Sequence, residues 1–198
     1  MDTEIEVKFL DVNKEALRNK LKEEGGILVY EERLMKRKNY DFPDGRLEKD
    51  GGWVRIRDEG DSIALSFKQL LRRDVNGTKE VMVTVDSFNN ACKLMECIGL
   101  VLKSYQETMR EKWMMGETEV TIDTWPWIPS FVEVEGDTSA EIEEVSRKLG
   151  FDFSSGLYGS VEIVYQNYYD VTEKEIDDLE EIKFDNPPKW LEKRAIRK

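Results

Sequence analysis

Apolar and polar residues alternate with a period of two along most of this chain, the pattern of strands with one wet face. Glu4 to Phe9, Ile27 to Lys38, Gly52 to Arg57 and Ser62 to Gln69 carry it. So do Lys79 to Val85, Leu102 to Trp113, Glu119 to Thr124 and Phe131 to Glu135. The segment DEGD predicts a hairpin between the third and fourth of these runs, and Arg72 to Gly77 a polar connection. Within NYDFPDGRL, Pro43, Asp44 and Gly45 supply turn chemistry. Helical spacing is confined to a few stretches. Leu17 and Leu21 lie four apart behind a cap at Asp11 or Asn13, and Gly25-Gly26 ends that helix. Ser87 to Ile98 and Ser139 to Leu149 read as helices, and Thr172-x-x-Glu175 opens a short acidic one. About eight strands without regular βαβ alternation predict an α+β fold, antiparallel and with enough strands to close a barrel. Residues 1–184 read as one domain and residues 185–198 as a basic, Pro-containing tail that packs loosely.

The polar faces are not uniform. Glu4, Glu6 and Lys8 share a face opposite Ile5, Val7 and Phe9. Arg55 and Arg57 oppose Val54 and Ile56; Lys68 pairs in parity with Ser66. Glu80, Met82 and Thr84 oppose three valines, Thr108, Arg110 and Lys112 form another polar face, and Glu133 and Glu135 oppose Val132 and Val134. Any antiparallel sheet with one wet face alternates in this way. Here, however, the signs segregate by strand. Arginines at neighbouring alternate positions, as in WVRIR, also suit bidentate capture of phosphate or carboxylate.

Composition narrows the chemistry. The chain has 198 residues, 42 acidic and 30 basic, for a formal net charge of −12, which disfavours general nucleic-acid binding. It contains no histidine, so imidazole catalysis and imidazole metal ligation are excluded. The two cysteines, Cys92 and Cys97, read as reduced thiols of a cytoplasmic protein. No apolar run approaches the roughly 18 residues of a spanning helix. Met1 leads straight into DTEIEVKF, which predicts no secretory leader. A homodimer is compatible with this picture.

Charged faces turned inward would cost several kcal/mol per ion in a dry core, against a total stability of about 5–15 kcal/mol. An inward arrangement must therefore hold water and ligands. Carboxylates suit a hard divalent cation, Mg²⁺ or Mn²⁺, and bases suit an anion. A polyphosphate joins both. Six acids (Glu4, Glu6, Glu80, Asp123, Glu133 and Glu135) face five bases (Lys8, Arg55, Arg57, Lys68 and Arg110). Two divalent ions would leave about three net positive charges, and a triphosphate carries about four negative ones near neutral pH.

These residues, in this order, resemble the CYTH, or triphosphate tunnel metalloenzyme, superfamily, and within it the class IV adenylyl cyclase-like branch. Glu4-Ile5-Glu6-Val7-Lys8 fits its ExExK signature; WVRIR, LSFKQ, REKW, VTIDTWP and FVEVEG follow in sequence over roughly residues 1 to 170. The resemblance implies a closed antiparallel tunnel in which Glu4, Glu6, Glu80, Glu133 and Glu135 hold one or two metals, with Asp123 as ligand or base-positioner. It implies that Lys8, Arg55, Arg57, Lys68 and Arg110 clamp a triphosphate. The chain departs from the pattern at Met82 and Thr84, where acids are expected, and at Thr108, where a base is common. Arg33 and Arg37 share parity and either line the tunnel or stay solvated; Lys183 is a weaker candidate for a C-terminal clamp.

The resemblance implies either triphosphate hydrolysis, of inorganic, thiamine or nucleoside triphosphate, or cyclisation of ATP to cyclic AMP and pyrophosphate. A tunnel that binds a triphosphate without turnover is the alternative of another class, and an acidic barrel with solvated outer charges the plainest one. The WPWIP segment is expected to pack over the barrel mouth, YQNYY to pack the C-terminal segment, and Asp177 to Glu181 to form a solvated helix face.

Overall fold

The structure is a computed structural model and describes residues 1–196. Its elements run β1 (Asp2–Phe9), α1 (Lys14–Glu23), β2 (Ile27–Asp41), α2 (Arg46–Lys49), β3 (Gly52–Asp58), β4 (Ile63–Leu70) and β5 (Thr78–Val85). There follow α3 (Phe88–Cys97), β6 (Val101–Met115), β7 (Thr118–Thr124), β8 (Phe131–Gly136) and α4 (Ser139–Lys148). The chain ends through α5 (Glu162–Tyr168), α6 (Glu173–Asp177), β9 (Glu181–Ile182) and α7 (Lys189–Glu192).

Strands pair in the order β2-β3-β4-β5-β1-β8-β7-β6, and β2 pairs back onto β6, which closes an eight-stranded antiparallel barrel. A ninth strand, β9, adds to β6 in parallel. In this order β2 lies four strands from β1 in either direction, so the two face each other across the barrel. The predicted hairpin is β3–β4, in register from Gly52↔Gln69 to Asp58↔Ile63. The predicted turn after Asn39 starts later, because β2 continues to Asp41. There the Asp41 carboxylate accepts the backbone N–H groups of Phe42, Leu47 and Glu48 and so fixes the start of α2.

The apolar faces of the strands point outward, so the hydrophobic core lies around the barrel. Val7, Val120, Ile122, Val132 and Val134 pack beneath Leu17 and Leu21 of α1 and Ile142 and Val145 of α4. Asn13 caps α1, and Thr138 with Glu141 forms a capping box on α4. A second cluster joins Tyr40 and Ile56 to Ala91, Cys92 and Met95 of α3. A third gathers Trp125, Ile128 and Phe131 with Val164, Tyr165, Tyr168, Ile176, Ile182 and Leu191. Each fully buried aliphatic side chain contributes about 1.5–3 kcal/mol, so the shell of helices secures the barrel from outside.

Two expectations change. The tail is docked through residue 196, since Leu191 is fully buried and Ala195 bridges to Tyr169, while residues 197–198 lie outside the described residues. Asp177 to Glu181 is no single helix face, since α6 ends at Asp177 and Glu181 already pairs in β9. The YQNYY segment packs as expected: Tyr165 and Tyr169 donate to the carbonyls of Pro126 and Trp127, which locks the WPWIP loop to the C-terminal helices. Cys92 and Cys97 are both free thiols.

Candidate functional site

The charged faces point into the barrel, which overturns the solvated-outer-face alternative. They surround a cavity of about 650 Å³. Glu4, Glu6, Lys8, Arg55, Arg57, Lys68, Glu80, Arg110, Glu133 and Glu135 all line it. Asp123 is brought to the same place but is fully buried behind Arg110, outside the lining.

Opposite signs pair across the strands. Lys8 lies opposite Glu133, and its Nζ donates to Glu6 at 2.7 Å and approaches Glu133 at 3.4 Å. Arg110 lies opposite Asp123 and forms a fork with both its carboxylate oxygens, at 2.7 and 2.9 Å, while Nη2 reaches Glu133 at 2.5 Å. Thr121 donates to Asp123 at 2.8 Å. Asp123 is therefore occupied in aiming Arg110. Across the cavity, Lys68 donates to Glu4 at 2.5 Å and approaches Glu80 at 3.7 Å, and Arg55 reaches Glu80 at 3.4 Å.

Burial and neighbours shift these groups in opposite directions. Burial opposes the charge on Lys8, but Glu6 and Glu133 outweigh it and hold its pKa above the ordinary lysine value. Glu133 is held far below the carboxylate range by Lys8 and Arg110, which overcome its burial. Arg55 is pushed down to about 10 by burial and by Arg57. Glu135 is pushed up to about 7 by burial and by Glu6, Glu4 and Glu119. Such perturbed groups concentrate where ligands bind.

Several lining residues were not nominated from sequence. Arg57 donates through Nε to Glu59 at 2.6 Å, and Glu59 sits in the segment read only as a turn. Lys112 pairs with Glu119; Glu119 shares parity with Asp123, a signal that was available. Trp53 and Trp125 line the cavity, and so do Asn39, Ser104 and Gln106 of the β2–β6 wall. Of the two open arginines, Arg37 lines the cavity. Arg33 instead pairs with Asp61 at 2.7 Å and stacks on Tyr30. Lys183 pairs with Glu181 at 2.5 Å, outside the lining.

No three carboxylates among the described residues converge as a ready-made ligand set. The donors nevertheless suit a hard divalent cation. They are all oxygens, Glu4 Oε2 is buried without a hydrogen-bond partner, and Glu135 lies cross-strand from both Glu6 and Glu119. Like charges directly opposite each other destabilise a sheet, and a cation between them removes that penalty.

The fold and cavity together define a closed antiparallel barrel whose interior is lined by bases and carboxylates. The chain belongs to the CYTH domain family, whose model matches residues 2–176. No curated protein matches it. Among solved structures it is similar to a candidate adenylate cyclase from Vibrio parahaemolyticus, with TM-score 0.73 and 15% identity over 83% of this chain and 98% of that one. It is also similar to the candidate adenylyl cyclase HpAC1 from Hippeastrum, described by its dominant triphosphatase activity, with TM-score 0.55 and 16% identity over 84% and 96%. A chain of the Schizosaccharomyces pombe Mediator head module aligns with TM-score 0.53 and 14% identity over 75% and 94%. At these identities the likeness shows the fold alone. Among the described residues, no helix is long and apolar enough to cross a membrane.

Proposed function

We propose that this protein is a divalent-metal-dependent enzyme acting on triphosphate substrates, as a triphosphatase for inorganic, thiamine or nucleoside triphosphate. The observation that carries the reading is the convergence of Lys8, Arg55, Arg57, Lys68 and Arg110 on the one barrel cavity that Glu4, Glu6, Glu80, Glu133 and Glu135 also line. Five bases in one cavity suit an anion of high charge density, and Arg forks match phosphate oxygens.

In this reading Lys8, Arg55, Arg57, Lys68 and Arg110 bind and straighten the phosphate chain. Asp123 positions Arg110 and holds it charged. Glu4, Glu6, Glu80, Glu133 and Glu135 would hold Mg²⁺ or Mn²⁺, which, when bound, neutralises phosphate charge and lowers the pKa of a coordinated water. Water attacks the terminal phosphorus, the bond to the bridging oxygen breaks, and the guanidinium N–H groups stabilise the negative charge that moves onto the leaving diphosphate.

A second reading is cyclisation, in which the ribose 3′-hydroxyl of ATP attacks the α-phosphorus and pyrophosphate leaves. Trp53 and the uncharged hydrogen-bonding groups of Asn39, Ser104 and Gln106 favour it, since a nucleoside can stack on the former and bond to the latter.

Product analysis tests both readings. Incubation with tripolyphosphate, thiamine triphosphate and ATP in Mn²⁺ or Mg²⁺ is expected to release orthophosphate, to stop on EDTA and to resume on adding the metal back. Cyclic AMP with pyrophosphate from ATP would replace the first reading by the second. Binding of all three without product would make the protein a triphosphate-binding module.

A further inference from the structure

Arg37 stands apart from every other cation in the barrel. It is only 5% exposed and lines the cavity. Among the described residues, it is the one cation that the barrel strands send into the cavity without an ion pair. Lys8, Arg55, Arg57, Lys68, Lys103, Arg110 and Lys112 each have a carboxylate. The guanidinium is nevertheless held in place. Nη2 donates to Thr108 Oγ1 at 2.9 Å, and the group lies 4.6 Å over the Trp125 ring. Its Nε is buried with no hydrogen-bond partner. Arg57 is its direct cross-strand neighbour on β3, so a like charge sits beside it.

A buried, pre-aimed guanidinium with a free donor and a like-charged neighbour is an arrangement that only an anion completes. Its place in the barrel says which side of the anion it meets. Arg37 is on β2, opposite β1, the strand of Glu4, Glu6 and Lys8. An anion bridged to those carboxylates from one wall presents its far oxygens to the other.

We propose that Arg37 is a sixth phosphate-binding group, gripping a triphosphate from the wall that faces the acidic strand β1. This rests on the triphosphate reading above. Thr108 serves as the post that holds the guanidinium in position, and Trp125 as the floor beneath it.

The test is the affinity for inorganic tripolyphosphate in EDTA, by calorimetry, with thermal melting of the free protein alongside. Wild type is expected to bind. Arg37→Gln is expected to bind about 10- to 100-fold more weakly, the scale of a lost charge-assisted contact, while the free protein melts no lower than wild type because Arg57 loses a like-charged neighbour. Arg37→Lys, which keeps the charge but loses the fork and stays informative if Gln disturbs folding, is expected to fall between. The double change Arg37→Gln with Thr108→Lys returns a cation to the same point from β6 and is expected to recover affinity. A purely structural arginine would not be rescued this way. Wild-type affinity in Arg37→Gln or in Arg37→Lys would overturn this proposal alone. Absence of tripolyphosphate binding by wild type in EDTA and also, in a parallel titration, with Mn²⁺ present would overturn the triphosphate reading and this proposal with it.

Discussion

The two faces of the same strands differ in what holds them. On β1, Val7 and Phe9 point outward into a packed apolar cluster under α1 and α4, while Glu4, Glu6 and Lys8 point inward to a polar cavity. The outer face is an ordinary core: removal of one side chain leaves a void that the neighbours cannot fill. The inner face is a set of paired charges around a wide polar cavity, whose net contribution to folding is small because desolvation offsets attraction. Stability therefore belongs to the outside of the barrel and chemistry to the inside. That division lets a barrel hold so many ionised groups without a compact apolar centre.

The division can be tested from its strongest consequence downward. Leu21→Ala, on the buried face of α1 that covers the barrel, is expected to cost about 2–5 kcal/mol in chemical denaturation and to leave tripolyphosphate affinity of the folded protein unchanged. A cost below about 1 kcal/mol would mean that the outer cluster is not the main support. Glu6→Gln, on the inner face, is expected to lower turnover by at least about 100-fold with little change in melting temperature. It removes one partner of Lys8, which keeps Glu133, and it relieves Glu135 across the strand pair. Undiminished turnover would remove Glu6 from the metal site.

Smaller effects sharpen the picture. Arg57→Ala is expected to weaken tripolyphosphate binding by about 10- to 100-fold by calorimetry, with a neutral result removing Arg57 from the clamp. At the cavity rim, Asp177 keeps a solvent-exposed side, but desolvation of the other side and Glu162 push its carboxyl up to about 8. Its folded pKa lies above the unfolded value, so the stability it contributes is full at low pH and is lost as pH rises through about 8. Asp177→Asn is therefore expected to raise stability at pH 9 by about 1 kcal/mol or less, given how open the side chain is to solvent, and to have almost no effect at pH 4. An equal gain at both values would contradict the sign.

Much of this organisation is legible in the chain because strand parity is strict. Once Ile5, Val7 and Phe9 are assigned to a core, Glu4, Glu6 and Lys8 must share the other face, and β3, β4, β7 and β8 follow the same logic. Parity does not say which face is inside a barrel. Here that followed from the segregation of sign by strand and from the family resemblance. The extension of β2 to Asp41 was missed because Asn39 and Asp41 favour turns but are tolerated in a paired strand. Glu59 was missed because it lies one residue beyond β3, in the connecting segment, although it shares the parity of Arg57. The ordered tail was missed because a single residue, Leu191, anchors it in a cluster assembled from distant segments. Asp123 is placed apart from the other acids for a geometric reason: its parity is that of the lining, but its carboxylate is covered by the Arg110 fork.

On this reading the inner face takes a triphosphate together with a divalent metal. A crystal structure with Mn²⁺ and tripolyphosphate tests it most directly. Anomalous manganese signal beside Glu6 and Glu135, with phosphates lying along Arg55, Arg57, Lys68 and Arg110, is the predicted result. Tripolyphosphate bound on the outer surface, or an interior that excludes both ions at saturating concentrations, would contradict it.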